Sequence, residues 1–209
     1  MSIIETERLI LRPWREEDAE SLYRWASDPE VGPTAGWAAH KDVADSLNVL
    51  RTILMKPNTW AITLRGSDEP VGSIGYFPSA CTQADGQPEI GYWLARPLWG
   101  NGYMPEAVRA LIALCFDRGA EAVWCAHVDF NRKSRRVIEK CGFTYRWAED
   151  WRSNLGDVRK SLYYSIQAVD WQQAVGTSTA RPRGRSVCFL SHVFDNGTAR
   201  HSADGSICI

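Results

Sequence analysis

The 209-residue sequence predicts a mixed α/β domain. Two segments of helical periodicity come early, three strand-like segments then follow one another, and a glycine-bearing turn leads into a strongly apolar helix. The predicted order of elements is β-αα-βββ-α-β-α-ββ through about Gln173. This order differs from the regular strand–helix alternation of a doubly wound nucleotide-binding fold.

The first half of the chain is predicted to form one strand, two helices and a hairpin. The opening strand, RLILRPW, ends at Pro13. Apolar residues recur at helical spacing in two segments, which are Ala19, Leu22, Tyr23 and Ala26, and then Val43, Leu47, Leu50 and Leu54. The segment TWAITLRGSDEPVGSIGYF predicts two strands around a polar turn.

The second half continues with a strand, PEIGYWLA, and a long helix whose apolar stripe ends before Gly119. A buried strand, AVWCAHV, and a short helix in NRKSRRVIEKCGF follow, with Asn131 placed as the N-cap and Gly142 at the end. Two more strands are predicted around residues 144–151 and 161–167. We therefore expect a folded domain over residues 1–173. Residues 174–209 are rich in Ser, Thr, Gly and Arg and are expected to form a poorly ordered C-terminal extension.

Composition argues against several partners. A net charge of −1 gives no global attraction to nucleic acid or to an anionic membrane, so neither is expected as a partner.

The first residues are too charged for a signal peptide, and no apolar run approaches ~18 residues, which favours a cytoplasmic protein. The six cysteines form no CxxC pair and are interpreted as buried thiols. The Cys and His residues near the C-terminus match no familiar zinc spacing, so no metal is expected.

The stretch WGNGYMPEA combines two glycines with a proline at the predicted first helical position. Proline is favourable there because its missing N–H would have no partner within the helix. The N–H groups of such a turn converge at the positive end of the helix, where phosphate groups bind. The pattern alone leaves two interpretations open, an anion site and an ordinary tight turn.

Three motifs in order resemble the GNAT superfamily of acyl-CoA-dependent N-acetyltransferases. They are ETERLILRPWREEDAESLYRW, EIGYWLARPLWGNGYMPEAVRALIALCF and VDFNRKSRRVIEKCGF, and together they cover roughly residues 5–170. The resemblance is strongest to the branch that contains the ribosomal-protein N-terminal (alanine) acetyltransferases. It implies a central, mostly antiparallel sheet with flanking helices, in which the strand at 89–94 splays from the strand at 122–128.

The resemblance also implies acetyl-CoA as the acyl donor, with the pantetheine arm in the split and the pyrophosphate on the turn. The implied contacts are Tyr92, Trp93, Leu94, Trp99, Gly100, Asn101, Gly102, Tyr103, Met104, Asn131, Ser134 and Arg135. For the basic run that contains Arg135, a solvated helix face is the alternative. Trp99 and Met104 depart from the usual superfamily turn, and Pro105 removes one amide donor from the phosphate cradle.

Acetyl transfer to an amine requires a base, since an alkylammonium has a pKa of ~10. Glu89 is the candidate, as the only acid on the strand at the implied split; the alternative is an exposed charge at the start of the strand. Ser134 matches the region where relatives place an acid for the leaving thiol, and Tyr145 is the alternative. The expected reaction is direct attack in a ternary complex.

The acceptor is expected to be a primary amine, either a peptide N-terminus or a small molecule. Trp37, His40 and Trp60 are the candidate acceptor contacts, with ordinary core packing as the alternative for each. A non-catalytic acyl-CoA-binding or regulatory module on the same fold is the second hypothesis for function. Either a monomer or a homodimer is consistent with the sequence.

Overall fold

A computed structural model of the chain describes residues 1–79, 84, 86–153 and 155–176. The strands in this part of the chain are β1 (Ile4–Glu5), β2 (Leu9–Pro13), β3 (Thr59–Leu64), β4 (Pro70–Pro78), β5 (Pro88–Leu94), β6 (Ala122–Val128), β7 (Thr144–Arg152) and β8 (Val158–Gln167). The α-helices are α1 (Ala19–Ala26), α2 (Gly32–Ala35), α3 (Val43–Val49), α4 (Tyr103–Asp117), α5 (Arg132–Lys140) and α6 (Ala168–Gly176). One π-helical turn, Leu50–Leu54, extends α3.

The strands form one sheet in the order β1-β2-β3-β4-β5-β6-β8-β7. Neighbouring strands run antiparallel except for β5 and β6, which are parallel. The predicted mixed, mostly antiparallel fold is therefore confirmed. Strand β1, helix α2 and helix α6 were not predicted, because two to four residues show no periodicity and the last helix straddles the change in composition near residue 173.

The sheet is open between β5 and β6. Only two residue pairs join these strands, Glu89 with Trp124 and Ile90 with Cys125. Beyond Ile90, β5 continues to pair with β4 through Leu94, while β6 continues to pair with β8 through Val128. The predicted splay is confirmed, and it leaves a gap that starts next to Glu89.

Helices cover both faces of the sheet. Val108, Leu111 and Ile112 of α4 are fully buried in a cluster that includes Leu94 of β5. The adjacent residue, Trp93, belongs to a second cluster built around α1 and α3. Since successive side chains of a strand point to opposite faces, α4 lies on one face of the sheet, and α1 and α3 lie on the other.

Several expectations concern the limits of the chain. Helix α6 ends at Gly176, and residues 177–209 lie outside the described residues, so the boundary at residue 173 and the poorly ordered extension stay predictions. Cys115, Cys125 and Cys141 are buried as predicted, and Cys81, Cys188 and Cys208 lie outside the described residues. Within the described residues, no helix has the length and apolar character needed to cross a membrane. No cluster of three or more His, Cys, Asp or Glu suited to a metal is found in this same part.

Candidate active site

The turn before α4 takes a conformation that only glycine adopts without strain. Gly100 and Gly102 have φ angles of 85° and 82°, in the left-handed region. Among the described residues, none has an atom within 4 Å of the position that a Cβ would take at Gly100, and no side chain caps the start of α4. Within the described part of the chain, no side chain therefore occupies the first N–H groups of the helix, as an anion site requires.

Neighbouring side chains fix this turn in place. The indole Nε1–H of Trp99 donates to the carbonyl oxygen of Leu94 at 2.7 Å. A guanidinium N–H of Arg8 donates to the carbonyl oxygen of Asn101 at 3.0 Å. The ammonium of Lys133 lies 3.8 Å from the centre of the Trp99 ring, a cation–π contact that joins the turn to α5.

A cavity of about 500 Å³ opens beside the turn. Ten of the predicted contacts line it, namely Tyr92, Trp93, Leu94, Trp99, Gly100, Gly102, Tyr103, Met104, Asn131 and Ser134. Of the described residues that line it, Lys133, Arg136 and Lys140 are cationic and none is acidic. These three lie at i, i+3 and i+7 along α5 and therefore on one face of the helix. The cavity thus suits a molecule that carries several phosphates.

Glu89 lines a smaller cavity of about 50 Å³ that shares several wall residues with the larger one. Its side chain is buried, and one carboxylate oxygen accepts a 2.6 Å hydrogen bond from the hydroxyl of Ser79. Burial raises the pKa of Glu89 above its ordinary value, and the Ser79 hydrogen bond opposes that shift. Glu89 is therefore not the exposed strand-start charge that the sequence left as the alternative.

Ser134 and Tyr92 form a hydrogen-bonded pair that lines both cavities. Their side-chain oxygens are 2.9 Å apart. The carboxamide oxygen of Asn131 accepts the backbone N–H of Ser134 at 3.0 Å, so Asn131 is the N-cap of α5 as predicted. Burial raises the pKa of Tyr92 well above its ordinary value, which keeps the phenol protonated.

Two predicted contacts to the donor do not reach the larger cavity. Arg135 lies on the solvent side of α5, where it forms an exposed ion pair with Glu139 at 2.8 Å. Asn101 turns its side chain back onto its own loop and donates to the carbonyl oxygen of Leu98 at 3.2 Å. Helical periodicity, which separates residue 135 from residues 133, 136 and 140, is the signal that distinguishes Arg135 from the basic residues at the cavity.

The predicted alternative acid and the predicted acceptor contacts line neither cavity. Tyr145 is half exposed on β7, with its ring against Tyr164. Trp60 is fully buried in the core and donates to the carbonyl oxygen of Ser2 at 2.9 Å. His40 is buried and bonded to the hydroxyl of Ser46 at 2.8 Å, and Trp37 packs against His40. The core-packing alternative therefore describes Trp60 and His40 in this structure.

Sequence reasoning missed the residues that enclose Glu89. Phe77 of β4, Val128 of β6, Ser161 of β8 and Trp151 of β7 line the smaller cavity together with the backbone of α2. These residues are far apart in sequence, and sheet pairing alone brings them together. Phe77 is directly opposite Glu89 in the register, so a correct strand alignment would have found it.

Comparisons with known proteins agree with this geometry. Residues 8–144, more than half of the chain, match the family described as the acetyltransferase (GNAT) domain. The uncharacterized N-acetyltransferase p20 of Bacillus licheniformis is 35% identical over 117 residues, which cover 54% of this chain and 65% of p20. The chain thus spans slightly less than two thirds of p20. The uncharacterized N-acetyltransferase YoaA of Bacillus subtilis (strain 168) is 28% identical over 147 residues, which cover 68% of this chain and 82% of YoaA.

A solved structure gives the same fold. The microcin C7 self-immunity acetyltransferase MccE, crystallised with acetyl-CoA and AMP, has a TM-score of 0.65 at 20% identity, and the match covers 78% of this chain and 93% of that one. The family match covers more than half of the chain and agrees with the fold. The chain therefore belongs to the GNAT acetyltransferase family.

Proposed function

We propose that this enzyme transfers the acetyl group of acetyl-CoA to a primary amine by direct attack in a ternary complex. One observation carries the proposal. The buried carboxylate of Glu89 and the Tyr92–Ser134 pair line the same small cavity, and that cavity adjoins a large one with three cations and uncapped helical amides. A proton acceptor and a hydrogen-bond donor are thus available at the junction of the two spaces.

The larger cavity supplies the binding energy for the donor. Amides of the turn and the α4 N-terminus suit the diphosphate, and the cationic face of α5 suits a further phosphate. The unpaired edge of β5 beyond Ile90 suits the amide-bearing arm, and backbone N–H groups near Tyr92 or Trp93 are the candidate donors to the oxyanion. Pro105 provides no N–H, so the cradle depends on fewer amides.

Glu89 acts as the base. An alkylammonium has a pKa of ~10, so the attacking nitrogen must lose a proton to become a nucleophile. Burial strengthens Glu89 as a proton acceptor because it raises the pKa of the carboxyl group. The ammonium first loses one proton to Glu89, directly or through water. The neutral nitrogen then bonds to the thioester carbon, and as the carbon–sulfur bond breaks the second nitrogen proton passes to solvent or to the departing thiolate.

Ser134 stabilises the departing sulfur. A thiol has a pKa of about 8.5, so the thiolate needs only a hydrogen-bond donor to leave. The hydroxyl of Ser134 is the candidate donor because the residue lines both cavities, and its oxygen is hydrogen-bonded to the Tyr92 hydroxyl. The family match gives no support to the alternative of a non-catalytic acyl-CoA-binding module.

Glu89→Gln tests the proposal, with Glu121→Gln as the matched control because Glu121 is exposed just before β6. Loss of the base is expected to lower kcat by roughly 10²-fold. The dissociation constant of acetyl-CoA, measured by calorimetry, should stay within twofold of the wild-type value. Turnover is measured as thiol release over a panel of amines.

The pH dependence offers a second readout for the same variant. Because the folded-state pKa of Glu89 is raised, ionising this group costs stability as pH increases from the ordinary glutamate value through the raised one. Glu89→Gln should therefore melt at a higher temperature than wild type at neutral pH, and at the same temperature below about pH 4. Unchanged turnover in Glu89→Gln would remove Glu89 as the base, and absence of acetyl-CoA binding to wild type would refute the function.

A further inference from the structure

We propose that the acceptor is a small primary amine whose neighbouring group carries no negative charge, so that free α-amino acids are excluded. This inference rests on the proposed function and concerns the same site. The shared chemistry is an ammonium or amine next to an uncharged group, as in a peptide N-terminus or an alkylamine. It follows from the charges, the walls and the size of the smaller cavity.

The smaller cavity has no cation to pair with an acceptor carboxylate. Among the described residues that line it, Glu89 is the only charged side chain, and none is Lys or Arg. His127 also lines it, but burial lowers the pKa of that imidazole and favours the neutral form. One ring nitrogen of His127 is 2.7 Å from the carbonyl oxygen of Val128, and the other is 3.3 Å from the Tyr164 hydroxyl.

Arg159 of β8, a cation that contacts the α2 segment, is already engaged. One guanidinium N–H of Arg159 donates to the carbonyl oxygen of Pro33 at 2.7 Å, and another donates to Asp157 at 2.7 Å. The guanidinium also lies 5.4 Å from the centre of the Phe130 ring. The arginine therefore holds the α2 segment in place and is not free to receive a substrate carboxylate.

A second acid lies at the rim. Glu149 of β7 is exposed and is paired in the sheet register with Ser161, which lines the cavity. It is two residues before Trp151, another wall residue, and so projects from the same face of the strand. Glu149 and Glu89 interact as like charges. Both acids favour a cationic amine on approach and oppose an anion.

The walls leave little room. The cavity measures about 50 Å³, space for an amine and a few carbon atoms. Trp151 closes one side so tightly against the α2 segment that a Cβ at Gly36 would lie 2.5 Å from its ring. A carboxylate bonded to the amine-bearing carbon would therefore enter within a few ångströms of Glu89, where it would be desolvated without a partner.

Alaninamide and alanine are the matched acceptors for the test. They differ only in whether the group next to the amine is a neutral amide or a carboxylate. Because the carboxylate also raises the pKa of the amine, kcat/KM is expressed per neutral amine from the titrated pKa of each compound. The full-length enzyme is expected to use alaninamide at least ~10-fold better than alanine on this scale. Phenylalaninamide, which exceeds the cavity, should be a poorer acceptor than alaninamide.

Glu149→Lys provides a test within the protein, since the residue is exposed and outside the catalytic machinery. It should reduce the preference for alaninamide over alanine by a factor of ~3–10, because a cation then faces the acceptor carboxylate. Glu121→Lys, at an exposed residue just before β6 and on the closed side of the two joining pairs, should leave the preference unchanged. 1,4-Diaminobutane distinguishes the two kinds of acceptor. If its kcat/KM is higher than that of alaninamide, the acceptor is an alkylamine; if it is lower, the acceptor is a peptide-like N-terminus.

The outcomes separate the two proposals. If acetyl-CoA binds and alanine equals alaninamide within twofold per neutral amine, the inference is wrong and the acetyltransferase function stands. An unchanged preference in Glu149→Lys would overturn the electrostatic part of the argument. Absence of acetyl-CoA binding, measured separately by calorimetry, would refute the function and the inference together.

Discussion

At the scale of single residues, the Tyr92–Ser134 pair is the proposed source of the hydrogen bond to the departing sulfur. A serine hydroxyl is a weak acid, and the raised pKa of Tyr92 makes the phenol reluctant to give up its proton. The structure therefore favours hydrogen bonding over proton donation. The two hydroxyl oxygens are 2.9 Å apart, and when the phenol is the donor the serine proton is available to another acceptor. In the proposed mechanism Tyr92 is therefore a positioning residue, and Ser134 is the donor to the sulfur.

Tyr92→Phe tests this assignment. Without the phenol oxygen, Ser134 rotates freely, and we expect kcat to fall about 10-fold while the KM for acetyl-CoA changes less than about 3-fold. The free energy of unfolding should decrease by only about 1 kcal/mol, the worth of one neutral hydrogen bond. In a double-mutant cycle with Ser134→Ala, the double variant should be no slower than Ser134→Ala alone. Multiplicative losses in kcat would show that the two residues act independently.

At the scale of an element, the turn before α4 has a backbone conformation that favours glycine, and the absence of a side chain leaves the turn open to a ligand. Gly100 adopts a left-handed conformation with open space where a side chain would be. Gly119, after the other end of the same helix, has nearly the same φ angle, 87°, and also has open space around a Cβ. A side chain would therefore cost about the same conformational energy at either position. Gly100 differs because it lines the larger cavity and Gly119 does not.

Gly100→Ala and Gly119→Ala form a matched pair. Each should lower the free energy of unfolding by about 1 kcal/mol, because alanine is strained at positive φ. Only Gly100→Ala should weaken acetyl-CoA binding, by about 10-fold or more, since its methyl group occupies the side from which phosphate approaches. Chemical denaturation and calorimetry measure the two effects. Equal affinities in both variants would mean that the turn does not bind the donor.

The elements also show what a sequence can and cannot predict. Local features were sufficient for the turn and for the Asn131 cap, because each depends on residues within a few positions of one another. The position of Glu89 at the splay was implied only by the resemblance to the family, because the splay involves two strands that are distant in sequence. The assignment of Trp60 to the acceptor site does not match its buried place in the structure, because burial depends on pairing with a distant strand. The enclosure of Glu89 by Phe77 and Trp151 depends on sheet register, which one sequence alone does not reveal.

At the scale of the whole molecule, a buried ion pair ties the strand β2 to the start of α1. The Arg12 guanidinium bonds to Asp18 at 2.7 Å and to Asp68 at 2.7 Å. Arg12 and Asp18 are both almost fully buried, whereas Asp68 is exposed in the turn before β4. The network thereby joins three segments that are separated in sequence.

Removal of the arginine should be costly. Arg12→Met leaves Asp18 buried without its partner, and we expect the free energy of unfolding to decrease by about 3–5 kcal/mol. Arg51→Met is the control, since Arg51 forms an exposed pair with Glu16 and its loss should change the free energy of unfolding far less. Denaturant unfolding monitored by tryptophan fluorescence compares the two. A similar loss in both variants would show that burial of the pair is unimportant.

The narrow joint between β5 and β6 has a mechanical consequence. The sheet has two halves, β1 to β5 and β6 to β8, which are joined by only two residue pairs. Helix α4 contacts strands of both halves. A donor molecule bound in the gap would contact both halves of the sheet and hold them together. We therefore expect the protein to be more rigid with the donor bound than without it. Glu89 belongs to one of the two joining pairs. We therefore expect Glu89, the proposed base, to move less than the rest of the site when the two halves of the sheet shift relative to each other.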